Sequence, residues 1–134
     1  MKHIHTPVLW LMLICSSVAV GQTDTTRSDQ FELTGEIIGT ISLPPHCGYF
    51  SFAVAIEFRI VDFSISDLPS ETIGLIVPCP EFYGDNFFVV GTSYQLLVTQ
   101  NEKPYEDFLI WNSSIVSKYA LARNFWVEDA KKED

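Results

Sequence analysis

The sequence predicts an all-β chain, a small antiparallel barrel of five to six strands with at most one short helix. Three observations carry this prediction. Apolar and polar residues alternate with period two over several stretches, as in strands with one buried and one wet face. The longest such stretch changes phase part-way, as a strand does at a β-bulge or a barrel corner. Nowhere does a long apolar pattern of period 3.6 occur, and no internal repeat or low-complexity tract is visible.

In the first stretch Phe31, Leu33, Gly35, Ile37, Gly39, Ile41 and Leu43 alternate with Glu32, Thr34, Glu36, Thr40 and Ser42. Gly35 and Gly39 fall on its inward side, where a missing side chain lets a strand curl or a neighbour approach closely. Pro44-Pro45-His46-Cys47-Gly48 is turn chemistry. In the next and longest strand Phe50, Phe52, Val54, Ile56, Phe58 and Ile60 share a face, and at Ile60-Val61 the phase passes to Val61, Phe63 and Ile65. Ser66-Asp67-Leu68-Pro69-Ser70-Glu71 turns the chain into a third strand through Ile73, Leu75, Val77 and Cys79. A loop over 80–86 leads to Phe87-Phe88-Val89-Val90, then Gly91-Thr92-Ser93, then a strand through Tyr94, Leu96 and Val98. Asn101-Glu102-Lys103-Pro104 turns again, and 105–111 reads as a short strand. Tyr119, Leu121, Arg123, Phe125 and Val127 alternate, which favours a strand within 115–127, although Ala120, Leu121 and Ala122 tolerate helix.

The amino-terminal end reads as a signal peptide over 1–21: a basic start at Lys2, an apolar block over 8–20, and Ala19-Val20-Gly21 before the cut. The block is too short to span a bilayer comfortably and no later run qualifies, so no integral membrane segment is expected after processing. An alternative reading makes Cys15 the attachment site of a bacterial lipoprotein, against which Ile14 stands where a small residue is wanted. Behind the cut, 22–30 is a polar, flexible leader, 31–128 a single domain, and 129–134 a tail expected to fray.

Removing 1–21 takes away Lys2 and no acid, which moves the formal charge from -9 to -10. With no basic cluster and such an excess of acid, nucleic acid is excluded as a partner. Cys47 and Cys79 remain as a pair, and in a secreted or periplasmic setting a pair is most simply a disulfide. The antiparallel arrangement of the second and third strands brings the two cysteines side by side. A zinc site is disfavoured, since His46 is the one histidine left in the processed chain and a structural site wants four ligands.

A curled strand with glycine, a long bulged strand, a strand ending in cysteine and then Gly91-Thr92-Ser93-Tyr94-Gln95-Leu96 together resemble the five-stranded OB-type barrel. The resemblance is closest to the netrin-like modules of tissue inhibitors of metalloproteinases and complement proteins. It covers roughly 31–100 and rests on pattern. Those inhibitors grip the protease zinc through an amino-terminal cysteine, whereas cleavage here exposes Gln22, so inhibition by that route is not implied.

No nucleophile with a base, carboxylate pair or metal cluster stands out, so no catalytic residue, metal or cofactor is assigned. His46 reads as an exposed turn residue, and Ser113 and Ser114 have no base nearby in sequence. Glu81, Asp85 and Asn86 share one loop in which oxygen ligands can hold calcium, although acids populate turns anyway. Asn112-Ser113-Ser114 matches the glycosylation sequon, which matters only in a eukaryotic secretory pathway. Among the aromatics, Phe82, Trp111 and Trp126 read as rings capping the barrel ends, and Tyr83 and Tyr105 as exposed. Tyr83, Tyr105, Glu81 and Asp85 are therefore the candidate ligand-binding residues. The function expected is a secreted or periplasmic non-catalytic binding module, its ligand a protein or, second, a glycan. A protease inhibitor acting through loop 80–86 and a structural accessory of an envelope assembly are the rivals.

Overall fold

A computed structural model of the chain describes residues 29–64, 70–119 and 123–134. The segment expected to be a signal peptide, Cys15, nearly all of the leader, and Ile65 with most of the turn expected after it lie outside the described residues. The strands are β1 (Gln30–Ile37), β2 (Phe52–Phe63), β3 (Thr72–Pro78), β4 (Ser93–Thr99), β5 (Leu109–Trp111) and β6 (Trp126–Lys132). One short helix, α1 (Ser113–Lys118), and two 3-10 turns at Pro80–Tyr83 and Lys103–Tyr105 complete the elements among the described residues. No helix among the described residues is long and apolar enough to cross a membrane.

Neighbours run β1-β4-β6-β3-β2, and β2 pairs back onto β1 to close a five-stranded barrel, with β5 as a sixth strand beside the start of β2. The small barrel with one short helix is thus as expected, but its pairing is mixed, not purely antiparallel. The pairs β3 with β6 and β2 with β5 are parallel. An odd number of strands cannot alternate in direction all the way round a closed ring, so at least one neighbouring pair must run parallel.

Inside the barrel, Val54, Ile56 and Phe58 of β2 face Val77, Leu75 and Ile73 of β3 in register, all fully or almost fully buried. Each such apolar side chain contributes roughly 1.5–3 kcal/mol when removed from water. The phase change expected at Ile60-Val61 is a bulge. Thr34 pairs with Asp62 and Gly35 with Ile60, which leaves Val61 unmatched and 64% exposed, so Val61 does not start a second inward set. Gly35 is inward, and a Cβ there would lie 3.2 Å from the Phe58 ring, the close approach its position implies.

Two strands are shorter than their alternation suggests. β1 stops at Ile37, not Leu43, because the chain leaves the barrel toward Pro44-Pro45, and Leu43 is exposed. β2 begins at Phe52, and Phe50 is also exposed.

β3 is apolar at every position from Ile73 to Val77 because its outer face is covered too. Ala53, Ile76 and Trp126 form a second buried cluster outside the barrel wall, roofed by Tyr105, Phe108, Ile110 and Val116. Gly74 seats α1 here, since a Cβ would meet the Ile115 Cγ2 at 3.0 Å. The Glu57 carboxylate on β2 pins the far end of α1 by accepting hydrogen bonds from the Lys118 ammonium and the Tyr119 hydroxyl. Of the strand expected within 115–127, residues 115–118 belong to α1 and Trp126 and Val127 to β6, while Ala120, Leu121 and Ala122 lie outside the described residues. The last residues do not all fray: Lys131 and Lys132 pair with Gln95 and Tyr94, and the Glu133 amide donates to the Ser93 carbonyl.

Candidate functional site

The two cysteines expected to pair do so. Cys47 and Cys79 are bonded with their Cα atoms 5.6 Å apart. Cys79 closes β3 in a left-handed conformation (φ 41°), which turns the chain out of the barrel into Pro80–Tyr83. Its amide donates to the Phe52 carbonyl at 2.9 Å, so the bridge also fixes the start of β2. On the other side, the Cys47 amide donates to Oε1 of Glu81. A covalent bond and a hydrogen bond thus join the segment before β2 to the 3-10 turn after β3. Cys47, Cys79 and Glu81 cluster within 4.8 Å, but sulfurs bonded to each other offer no thiolate to a metal.

Both joined segments carry aromatic rings into solvent. After Cys47 a tight turn, closed by the Gly48 amide on the Phe50 carbonyl, presents Tyr49 at 96% and Phe50 at 57% exposure. Their rings meet edge to face, with centroids 5.0 Å apart. After Cys79, Phe82 is 78% exposed on a turn whose amide bonds to the Cys79 carbonyl. Large apolar rings in solvent mark interaction surfaces when they gather on one region.

The loop to β4 is held from inside. The buried Tyr94 hydroxyl accepts from the Val89 amide at 2.8 Å and donates to the Phe87 carbonyl at 2.7 Å. The Gly91 amide donates to the Ile37 carbonyl at 2.7 Å, which ties the same loop to the end of β1.

The candidate residues divide. Glu81 and Asp85 both line a cleft of about 410 Å³ beside the bridge, together with His46 and Asn86. Tyr83 is half-buried, stacked on Phe87 at 5.1 Å and edge-on to Phe88 at 5.2 Å. Burial, aided by the charge of Asp129, pushes its hydroxyl up to about 12. Tyr105 belongs to the second cluster, its ring stacked on Trp126 at 4.5 Å. The exposure expected of these two tyrosines is found instead at Phe82 and Trp111, while Trp126 is buried as expected of it.

The strand rhythm hides Tyr49 and Phe50, because alternation does not reveal where β2 begins. A glycine directly after Cys47 is the local signal for the turn that exposes them. Ser113 and Ser114 open α1 in exposed positions, and Asn112 donates its side-chain amide to the Ser42 carbonyl. No family model matches the sequence, and no curated protein or solved structure matches it either.

Proposed function

We propose that this chain is a secreted or periplasmic, non-catalytic binding module that grips a protein partner at the disulfide-clamped end of its barrel. One observation carries the reading: the Cys47–Cys79 bridge joins two segments that each hold aromatic rings in solvent, Tyr49 and Phe50 on one and Phe82 on the other. Rings fixed in place before contact lose little conformational freedom on binding, and such anchors dominate interface energies. The disulfide and the signal-peptide pattern both support an oxidising compartment. A closed five-stranded ring is the architecture of an OB-type barrel, and OB barrels commonly bind across one face and its flanking loops.

A second reading has its own support. Phe82 stands on a turn held at both sides, by the bridge at Cys79 and by the Tyr94 contacts beyond it, as an inhibitory loop entering a hydrolase would be. In that case the partner is a hydrolase whose activity falls on binding.

Affinity capture from the extracytoplasmic fraction of the source cells tests both. The immobilised chain should retain one protein in stoichiometric amount. A variant carrying Tyr49→Ser, Phe50→Ser and Phe82→Ser should retain at least about tenfold less. Equal retention by the two forms would remove the assignment. If the retained protein is a hydrolase, Phe82→Ser alone should abolish its inhibition.

A further inference from the structure

The cleft beside the bridge has a shape and a chemistry of its own. It lies between segments 41–46 and 80–88, and its volume of about 410 Å³ has room for a large side chain. Its apolar part is made by Ile41, Phe87 and Phe88, which are half-buried and packed on the barrel core. The two phenylalanine rings meet nearly at right angles, 83°, with centroids 4.9 Å apart. The polar lining is Glu81 and Asp85 with His46 and Asn86, and the two carboxylates are only partly used. Glu81 engages the Cys47 amide through Oε1 alone, and Asp85 has no ion pair among the described residues. The cations of Arg59 and Lys118 are paired elsewhere, with Glu36 and Glu57.

An apolar stem ending in a planar cation fits such a place. The methylenes of an arginine lie against Ile41 and the rings, the guanidinium is attracted to an aromatic face, and its forked donors meet carboxylates. The whole chain, with 17 acids against 8 bases, draws the same kind of segment. We infer that this cleft receives an arginine side chain of the protein partner, with Asp85 and the second oxygen of Glu81 pairing with its guanidinium. This rests on the binding-module reading, and it names the chemistry that the partner must present next to the aromatic anchors.

The probe is the peptide acetyl-Gly-Ser-Arg-Ser-Gly-amide, titrated into the oxidised, isotope-labelled secreted chain and followed by amide chemical shifts. Its twin carries citrulline, which keeps the shape of arginine and removes the charge. The arginine peptide should shift the amides of 84–88 saturably, and the citrulline peptide should bind about tenfold more weakly or not at all. Asp85→Asn, with the rest of its spectrum unchanged, should weaken the arginine peptide by a similar factor. Glu81→Gln, which keeps an acceptor for the Cys47 amide, should do the same. No saturable shift, equal binding of the two peptides, or indifference to both substitutions would overturn the inference. Partner capture by the parent chain alongside a negative peptide titration leaves the binding module standing and removes only the arginine. Capture that survives loss of Tyr49, Phe50 and Phe82 removes the module reading whatever the peptide does.

Discussion

Tyr94 shows how a single side chain can organise a surface from below. Its ring is fully buried against Phe58 and among Phe87 and Phe88, while its hydroxyl reaches the loop and takes one donor and one acceptor from the backbone. Replacing it by Phe keeps the ring and leaves the Val89 amide and Phe87 carbonyl without their partner. The expected cost is about 1–2 kcal/mol in chemical denaturation, since each lost hydrogen bond is worth around 1 kcal/mol and the groups are only part-buried. Hydrogen exchange at the Val89 amide should rise by more than exchange in β2 and β3. A uniform rise across the barrel would instead mean that the hydroxyl supports global stability and not the loop. Tyr94 is legible in the sequence as an inward strand residue following Gly91, but its hold on residues five and seven positions away in the chain is not, because alternation reports a face and not a reach.

At the level of elements, long strands announce themselves and short helices do not. β2 and β3 are legible as strands, though not in where β2 begins, because each places three or more apolar residues on one face. The six-residue α1 is too short for a 3.6-residue period to repeat, so its residues pass for part of a strand. What makes α1 stable is tertiary: the seat at Gly74 and the grip of Glu57 on Lys118 and Tyr119. The hydrogen bond from Lys118, then that from Tyr119, holds the Glu57 carboxyl below its ordinary value of 4.5. A depressed folded-state value favours the native state above the ordinary pKa, and the contribution disappears as pH falls through the lower, folded one. The helix should therefore loosen below about pH 4.5 while the barrel persists. Glu57→Gln should lower the melting temperature at pH 7 and flatten its decline between pH 5 and pH 3. A pH profile identical to that of the parent chain would show that the grip on α1 does not contribute to stability.

Taken whole, the molecule is a small barrel, closed by β1 pairing with both β4 and β2, in which the disulfide lies outside the central core. The pairing of Cys47 with Cys79 was legible because it needed only the antiparallel arrangement of two neighbouring strands. Their consequence for the surface was not, since the exposed rings of Tyr49, Phe50 and Phe82 depend on where β2 starts and on the left-handed turn at Cys79. The cleft draws Ile41 and His46 together with Asp85 and Phe88, residues that no local motif connects. The bridge spans 32 residues, and closing a loop of that length stabilises the fold by roughly 3–4 kcal/mol through the unfolded chain. Cys47→Ser, Cys79→Ser and the double variant all open the same loop. They should therefore lower the melting temperature by similar amounts, on the order of 15–25 °C for a domain of about 100 residues. If the aromatic face depends on the clamp, the same variants should also lose partner capture at temperatures where circular dichroism still shows the barrel intact. Unchanged melting under oxidising conditions would mean that core packing alone stabilises this end. Intact capture by a folded double variant would mean that the rings hold their places without the bridge.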